Sequence, residues 1–274
     1  MPELPETHTI ASILDQNIKG LKILKVAVAK NYKALPQTDT FIKTVAGKKI
    51  KSAKRVAKNI LIELENGNHV LFHLAMTGRL LLWKNEPINE RGVRVILYLE
   101  GSSLLTFSDV RMFGKAAVLS HRQVQKLEHS YGPDPFNEKL TGRDLIKMFA
   151  GRKTGVKNVL LDQKIIAGLG NIYANEALFL AGINPKTKAS LINEKQAEKL
   201  CESIRRVLEE GIKFGGSTLE DKMYVDPYRK EGKYQEHFKI YSQNKCPRCG
   251  ENVVFLKMSG RGTYFCPNCQ PEQQ

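Results

Sequence analysis

Apolar and polar residues alternate along much of the chain up to about residue 120, and a period of two is typical of half-buried β-strands. Asn66-Gly67 separates two of these runs and is a strong signal for a hairpin turn. Helical spacing precedes the strands, over residues 7–17. The predicted strands cover residues 21–29, 59–65, 68–74, 93–101 and 103–108. Several short antiparallel strands of this kind predict a β-sandwich or a barrel.

The pattern changes at residues 132–135, Gly-Pro-Asp-Pro, which break regular structure and are typical of a linker. Beyond them, apolar residues recur at the spacing of one helix face. The predicted helices cover residues 141–149, 156–163, 171–180 and 193–214. From about Ile240 onward, two short strands lie between pairs of cysteines. The chain is therefore predicted to be a multidomain α+β protein, with domains at residues 1–131, 132–238 and 239–274.

The charge balance favours a polyanionic partner. The chain has 43 Lys and Arg residues against 28 Asp and Glu residues, which gives a formal net charge of +15. Nucleic acid is the commonest partner for such an excess, and a basic protein with a solvated surface is the alternative. No stretch approaches the length of about 20 apolar residues that a membrane span needs, so no membrane partner is predicted. Residues 1–6 resemble neither a signal nor a transit peptide, so we expect a cytoplasmic protein.

The cysteines predict a metal site. Cys246 and Cys249 form one C-x2-C pair, and Cys266 and Cys269 form a second pair after a spacer of 16 residues. Such pairs supply four thiolates to one tetrahedral zinc ion, which would be structural because no coordination position stays open. A redox role for the pairs is the alternative. Cys201 lies in a helical pattern and is predicted to be a buried or half-buried thiol.

The spacer between the cysteine pairs predicts a β-hairpin, with strands at residues 253–258 and 263–265 and a tip at residues 259–262. Arg261 lies in this tip, between two glycines. It is either a solvated turn arginine or a guanidinium held rigidly against a phosphate.

Residues 160–176 predict a helix, a glycine-containing turn and a second helix. Asn171 is predicted to cap the second helix, and an open helix N-terminus is suited to phosphate binding. An ordinary capped helical hairpin is the alternative. Arg152, Lys153 and Lys157 are close in sequence, and these three cations favour contact with the DNA backbone.

Several short segments together resemble the bacterial formamidopyrimidine-DNA glycosylases, which are helix-two-turn-helix enzymes of base-excision repair. The segments run in family order from the second residue to the last cysteine. They cover residues 2–6, 54–58, 73–80, 109–114, 132–135, 162–173, 215–218 and 260–263. The resemblance implies an N-terminal β-sandwich with flanking helices, a helix-two-turn-helix middle domain, a C-terminal β-hairpin zinc finger, and DNA bound in a cleft between domains.

The resemblance also implies the chemistry. Removal of Met1 would expose the secondary amine of Pro2, which would attack C1′ of the damaged nucleoside. The reference pKa of an α-amine is about 8, so part of it is neutral and nucleophilic at physiological pH. The iminium ion formed would permit successive β- and δ-eliminations of the flanking phosphates. Glu3 would be the acid that helps to open the sugar ring. By itself, a polar terminus of this kind would be read as disordered.

The remaining roles follow from the same resemblance. Lys58 and Arg261 would bind the flanking phosphates, and Glu6 would support the nucleophile. A flipped base leaves a hole in the stack, which a further set would fill: Met76, Arg111 and Phe113. Arg111 would also read the orphaned cytosine. Core packing is the alternative for Met76 and Phe113. Four residues would hold phosphates: His73, Arg91, Arg152 and Asn171. Residues 219–235 are similar to the loop that closes over 8-oxoguanine.

The sequence also departs from the family pattern. Thr7, His8 and Thr9 replace the usual Val-Glu-Thr, and the basic residues that commonly follow are missing. Arg91 stands where a histidine is usual. The loop at residues 219–235 carries additional basic and tyrosine residues: Tyr224, Tyr228, Arg229 and Lys230. These changes bear on pH optimum, lesion preference and loop position.

The function predicted is a bifunctional glycosylase and AP lyase that excises 8-oxoguanine and formamidopyrimidines. We expect double-stranded DNA with an oxidised base as partner, one structural zinc ion as cofactor, a monomer, and a place in the cytoplasm at the nucleoid. One alternative is the sister class that prefers oxidised pyrimidines, against which Arg111 and Phe113 argue. The other is a catalytically silent, lesion-binding zinc-finger protein, against which the set Pro2, Glu3, Lys58 and Arg261 argues.

Overall fold

The computed structural model of this chain describes residues 2–86, 88–137 and 140–272. Met1, whose removal is expected above, lies outside the described residues. The chain divides into two compact units. The first comprises Met1–Ser130 and Phe214–Gln235, and the second comprises Tyr131–Lys213 and Glu236–Gln274.

The first unit is built on two four-stranded antiparallel sheets. Its strands are β1 (Ile23–Val28), β2 (Ile50–Val56), β3 (Asn59–Leu64), β4 (His69–His73), β5 (Gly78–Lys84), β6 (Val93–Leu99), β7 (Ser103–Asp109) and β8 (Lys115–Leu119). The strand orders are β1-β6-β7-β5 and β2-β3-β4-β8. Three helices flank them: α1 (Leu4–Ile18), α2 (Thr38–Val45) and α3 (His121–His129). Both sheets contribute to one apolar core, so the predicted β-sandwich with flanking helices is confirmed.

The alternating pattern forms these strands because every second side chain can then enter the core. Asn66-Gly67 lies between β3 and β4 as predicted, and Gly67 adopts a φ of 77°, which glycine reaches without steric cost. Helix α1 begins three residues before the predicted start. Pro5 in its first turn is compatible with a helix, and a capping box between Glu3 and Glu6 fixes the start at Leu4.

The second unit is helical and carries the C-terminal hairpin. Its helices are α4 (Gly142–Phe149), α5 (Val156–Leu160), α6 (Asn171–Ala181) and α7 (Glu194–Lys213). Short 3₁₀ helices lie at Ala189–Leu191 and Tyr234–His237, and the hairpin consists of β9 (Val254–Met258) and β10 (Arg261–Phe265). This arrangement confirms the predicted α+β class, with a helical region followed by a cysteine-flanked hairpin.

The predicted helix over residues 156–163 is wrong at its end, because α5 stops at Leu160. Gln163 accounts for the difference. Its amide donates to the carbonyl oxygens of Leu161 and Leu169 at 3.2 and 2.8 Å, and its carbonyl oxygen accepts the N–H of Gly168 at 2.9 Å. The segment before α6 is therefore held as a turn by a side chain that competes with the helical backbone.

Among the described residues, no helix combines the length and the apolar character that crossing a bilayer requires.

Candidate active site and metal centre

The N-terminal turn at residues 2–6 is an ordered part of the first unit. Pro2 is buried, and Glu3 is the N-cap residue of α1. The Glu6 side chain is 2% exposed, and its carboxylate accepts two backbone N–H groups. Glu3 donates to Oε2 at 2.8 Å, and Ser217 donates to Oε1 at 2.7 Å. The possibility of a disordered terminus is therefore wrong, because Glu6 ties the turn to the segment after α7.

A glycine allows this segment to approach Glu6. Gly216 has a φ of 84°, and a Cβ placed on it would lie 2.8 Å from Cγ of Glu6. The buried Tyr224 lies against the same backbone and donates its hydroxyl hydrogen to the carbonyl oxygen of Gly215 at 2.8 Å. Burial raises the pKa of Tyr224 well above its ordinary value, so the hydroxyl remains a donor.

Lys58 lies in the two-residue turn between β2 and β3. Ala57 in this turn has a φ of 52°, and the Arg55 guanidinium donates to its carbonyl oxygen at 3.0 Å. The Lys58 side chain is only 8% exposed. Lys58 is therefore largely buried in a turn that the Arg55 hydrogen bond stabilises, and it is not an ordinary surface lysine.

His73 pairs with Asn59 across β3 and β4, and with Lys115 across β4 and β8. The Asn59 amide donates to Val56 at 3.2 Å, so its oxygen, 3.0 Å from His73 Nδ1, accepts a hydrogen from that ring nitrogen. Burial lowers the pKa of His73, and the charges of Lys115 and Lys58 act in the same direction. The lowered pKa favours the neutral imidazole of His73 over its charged form.

The predicted void-filling residues are exposed, as expected for loop tips. Met76 is 43% exposed between β4 and β5, and Phe113 is 56% exposed between β7 and β8. The Arg111 guanidinium carbon lies 4.8 Å from the centre of the Phe113 ring. Core packing is thus excluded for Met76 and Phe113. Arg91, in the loop before β6, is also exposed.

The buried Asp109 orders these loops, and it was not among the predicted site residues. Its Oδ1 accepts from the Thr77 hydroxyl and from the backbone N–H of Arg111, the latter at 3.2 Å. Its Oδ2 accepts the N–H of Gly114 at 2.6 Å. An aspartate at the end of an apolar strand, five residues before a glycine, is the signal that could have identified it.

The predicted metal ligands converge in the second unit. The sulfur atoms of Cys246, Cys249, Cys266 and Cys269 all lie within 4.8 Å of one another. The Cys249–Cys266 and Cys246–Cys269 sulfur distances are 3.5 and 3.8 Å. Tetrahedral zinc with bonds of about 2.3 Å places sulfur atoms about 3.8 Å apart, so this donor set fits one zinc ion. A hydrogen bond from the Glu251 backbone is the main cause that lowers the pKa of Cys249 to about 6.

The position of Arg261 differs from the prediction. The hairpin turn consists of Ser259 and Gly260, and Arg261 is the first residue of β10, paired with Met258. The predicted tip also included Arg261 and Gly262. Gly262 instead allows a close contact, since a Cβ on it would lie 3.1 Å from the Phe255 ring.

Two side chains donate hydrogen bonds to the backbone carbonyl oxygen of Gly262, the residue after Arg261. The Lys157 ammonium donates to the carbonyl oxygen of Gly262 at 2.8 Å and to the Thr263 hydroxyl at 2.7 Å. The Asn171 amide donates to the same carbonyl at 3.1 Å. Lys157 is 0% exposed, so its expected role as a cation near the DNA backbone is wrong.

The predicted capping role of Asn171 is also wrong. Gly170 is the N-cap residue of α6, and Asn171 is the first helical residue. Its amide points to the hairpin and not to the helix N-terminus, because the Gly262 carbonyl is within reach. Arg152 follows α4, is exposed, and donates to the Met148 carbonyl oxygen at 2.8 Å.

Comparison with known proteins gives matches along the whole chain. The formamidopyrimidine-DNA glycosylase N-terminal domain matches residues 1–116, the formamidopyrimidine-DNA glycosylase H2TH domain matches residues 131–223, and the zinc finger found in FPG and IleRS matches residues 243–271. The formamidopyrimidine-DNA glycosylase of Chloroflexus aurantiacus is 38% identical, over 100% of this chain and 99% of its own. That of Desulforamulus reducens is 36% identical, over 98% of this chain and 99% of its own.

Solved structures agree with these matches. MutM (Fpg) of Thermus thermophilus is 33% identical, with a TM-score of 0.88 over 100% of both chains. A mutant of Lactococcus lactis Fpg, in complex with DNA that contains Fapy-dG, is 31% identical, with a TM-score of 0.91 over 99% of this chain and 100% of that chain. The L. lactis protein in complex with abasic-site DNA has a TM-score of 0.90 at 31% identity, over 98% and 100%. The chain therefore belongs to the formamidopyrimidine-DNA glycosylase family of DNA-repair glycosylases.

Proposed function

We propose that this protein is a bifunctional DNA glycosylase and AP lyase that removes 8-oxoguanine and formamidopyrimidines from double-stranded DNA. The observation that carries the proposal is the N-terminal turn, in which Glu6 accepts backbone hydrogen bonds from Glu3 and Ser217. A terminus fixed in this way at the start of a helix is suited to covalent catalysis, because the nucleophile is held in position before the substrate binds.

Pro2 is the proposed nucleophile, after loss of Met1. Its neutral amine attacks C1′ while the bond from C1′ to the damaged base breaks, and the base leaves with the electron pair and a proton. Glu3 protonates the ring oxygen as the sugar opens, which gives a cationic iminium between Pro2 and C1′. Loss of a proton from C2′ then expels the 3′ phosphate, and a second elimination expels the 5′ phosphate.

Two cations are proposed to assist these eliminations by binding the flanking phosphates. The role of Lys58 is supported by the hydrogen bond that stabilises its turn. The role of Arg261 is supported by the hydrogen bonds to the neighbouring Gly262 carbonyl. A guanidinium on a fixed backbone can form two parallel hydrogen bonds to a phosphate with little loss of conformational entropy.

DNA is the proposed partner of the remaining residues. The exposed Met76, Arg111 and Phe113 are suited to entering the stack, and Arg111 to pairing with the orphaned cytosine. Four residues are proposed to contact phosphates: His73, Arg91, Arg152 and Asn171. Asn171 keeps one amide hydrogen for this role, since the other is donated to Gly262. The net charge of +15 and the relatives solved with DNA support the partner.

Zinc is proposed to be structural. It would be held by Cys246, Cys249, Cys266 and Cys269, and when bound it crosslinks the two C-x2-C turns. We further propose the domain boundaries 1–131, 132–238 and 239–274, in which residues 214–235 of the middle domain pack with the first unit. The protein would act as a monomer on chromosomal DNA, in the cytoplasm at the nucleoid.

Oxidised pyrimidines are a second candidate substrate class, because the L. lactis relative has also been solved with DNA that contains an oxidised pyrimidine. Arg111 beside Phe113 favours purines, since a guanidinium can donate to the acceptors of the cytosine left opposite guanine.

Borohydride trapping tests the proposal. Reduction of the iminium should link the protein covalently to a duplex with 8-oxoguanine opposite cytosine, and less efficiently to one with an oxidised pyrimidine. An unmodified duplex is the control. A silent lesion-binding protein would retain the 8-oxoguanine duplex without forming a covalent product, and preferential trapping on the pyrimidine duplex would support the second candidate.

A further inference from the structure

The segment Phe214–Gln235, which contains Ser217, also covers the free edge of a sheet. β5 is the end strand in the order β1-β6-β7-β5, so one side of its backbone has no neighbouring strand in that sheet. The Leu82 N–H on β5 donates to the Pro227 carbonyl oxygen at 2.9 Å. The Leu82 carbonyl oxygen accepts from Arg229 Nη1 at 3.1 Å. The segment thus satisfies both backbone groups of an edge residue.

Arg229 makes several contacts with this edge. Its guanidinium carbon lies 4.4 Å from the centre of the Trp83 ring, and its Nη2 donates to the Glu86 carboxylate at 2.8 Å. Trp83 is buried and is fixed by a 2.8 Å hydrogen bond from its Nε1 to the Thr106 hydroxyl. A planar cation on an immobile indole, with two hydrogen bonds, is a specific arrangement that lysine cannot reproduce.

The backbone of Arg229 is in an unusual conformation. Its φ is 67°, in the left-handed region that favours glycine. The turn around it is closed by Asp226, whose Oδ1 accepts the N–H groups of Tyr228 and Lys230 at 2.8 and 2.9 Å. The Tyr228 hydroxyl adds a hydrogen bond of 2.5 Å to Asn17 in α1. The turn alone would favour glycine at this φ. The contacts of the guanidinium with Leu82, Trp83 and Glu86 explain why an arginine occupies the position.

A short path connects this turn with the N-terminus. Three residues after Arg229, the Gly232 N–H donates to the Thr218 hydroxyl at 2.8 Å, and the Tyr234 N–H donates to the Gly216 carbonyl oxygen at 2.9 Å. Ser217 lies between these two contacts, and its N–H donates to Glu6. The two arms of the segment are therefore paired where it holds the N-terminal turn.

We propose that Arg229 is a positioning residue for the reaction. It fixes the 226–230 turn on β5, the turn fixes the arm at residues 232–234, and that arm keeps the Ser217 N–H on Glu6. The proposal rests on the proposed function, because it assigns a consequence to the order of Pro2 and Glu3. Arg229 itself touches neither of them.

The alternative is that Arg229 only occupies a turn position. Arg229→Gly separates the two possibilities, because glycine relieves the backbone conformation while it removes the guanidinium. If Arg229 only fills the turn, the substitution is neutral or stabilising. If Arg229 is a positioning residue, the segment loses order. Ser102→Gly is the matched control, since Ser102 also has a positive φ, 55°, in an exposed turn between β6 and β7.

Amide hydrogen exchange on the full-length, zinc-loaded protein without DNA is the first measurement. The amides of Leu82 and Ser217 should exchange about tenfold faster or more in Arg229→Gly than in the wild type. They should be unchanged in Ser102→Gly. Unchanged Leu82 and Ser217 amides in Arg229→Gly would overturn the proposal, whatever the activity.

The second measurement is single-turnover borohydride trapping at saturating 8-oxoguanine duplex, with binding measured separately. The trapping rate constant should fall about tenfold in Arg229→Gly while Kd changes less than about twofold, because the chemistry and not DNA contact is affected. Arg229→Lys should recover little of the rate. A normal rate constant despite fast exchange would overturn the positioning role.

A weaker variant and the exchange of the Ser217 amide cover two further cases, an unfolded Arg229→Gly variant and a wild type that forms no covalent product. If Arg229→Gly does not fold, Glu86→Gln weakens the same contact more gently and should shift both measurements in the same direction. If the wild type forms no covalent product, the proposed function fails, and exchange at Ser217 still decides whether Arg229 orders the segment at Glu6.

Discussion

The N-terminal turn at residues 2–6 and the hairpin that carries Arg261 are each held by a buried charged side chain. The two charges have opposite signs. In the first, the Glu6 carboxylate accepts backbone N–H groups from Glu3 and Ser217. In the second, the Lys157 ammonium donates to the backbone carbonyl of Gly262, one residue after Arg261. Each buried charge fixes the backbone beside a proposed catalytic residue.

The two regions differ in what stabilises them. The N-terminal turn leads into α1, which packs on a core that both sheets share and that includes Tyr224. The hairpin has two strands, and a small apolar cluster in the same unit contains Cys246 and Cys266, which are themselves proposed zinc ligands. A two-stranded sheet is marginal by itself. The first region therefore depends on the apolar core, and the second on the metal and on Lys157.

The largest expected effect comes from blocking the first region chemically. A one-residue extension before Pro2 converts its amine into an amide, which is not nucleophilic. Trapping on an 8-oxoguanine duplex should fall by about 10³-fold or more, while DNA binding is retained. The same residue added at the C-terminus is the control. Normal trapping by the extended protein would remove Pro2 from the mechanism.

Zinc removal should unfold the hairpin and leave the N-terminal turn folded. Binding of structural zinc contributes about 10–16 kcal/mol in small zinc fingers, so a strong chelator should unfold the hairpin and abolish DNA binding. Hydrogen exchange should increase in β9 and β10, and the Ser217 amide should remain protected. Re-addition of zinc is the control. Full activity of demetallated protein would contradict the structural role of the metal.

Removal of the Arg261 guanidinium tests whether the hairpin contributes to chemistry. Arg261→Ala should slow incision by about 10²-fold and retain zinc, because the arginine is not one of the four metal ligands. Arg248→Ala is a matched control in the same region, since that arginine donates to Leu180 within its own unit. Equal incision rates for the two variants would exclude the proposed role.

The buried ammonium should matter less than the side chain that it helps to position. Lys157→Met fills the same space without a donor to Gly262 and Thr263, and should cost about 1–3 kcal/mol in the free energy of unfolding. Thermal unfolding of the second unit and the zinc content are the measurements. Lys153→Met, at an exposed position nearby, should change neither.

The smallest expected effect is a pH dependence in the first unit. The folded-state pKa of His73 is lowered, so its contribution to stability is present above the unfolded pKa and is lost as the pH falls through about 6.5 and below. Unfolding midpoints between pH 7 and pH 5 should therefore fall more steeply in the wild type than in His73→Gln. His129→Gln, at an exposed position, should follow the wild type.

Much of the molecule follows from local sequence signals. The alternating runs, Asn66-Gly67 and the paired cysteines each constrain neighbouring residues. Strands β1, β3, β4, β6 and β7, the first hairpin and the cysteine cluster lie where these signals predict, whereas β2, β5 and β8 were not predicted. The family motifs also led to the N-terminal turn. Local periodicity is informative here because burial on one side of a strand or helix imposes it directly.

Other features were decided by tertiary contacts alone. Lys157 was interpreted as DNA-facing and Asn171 as a helix cap, yet both donate to a carbonyl that lies 105 and 91 residues away in sequence, because that carbonyl required a partner. The segment Phe214–Gln235 packs with the first unit although the chain reaches it from α7. No pattern in a single sequence records which distant backbone group a polar side chain will meet, and that pairing is what holds both proposed catalytic regions in place.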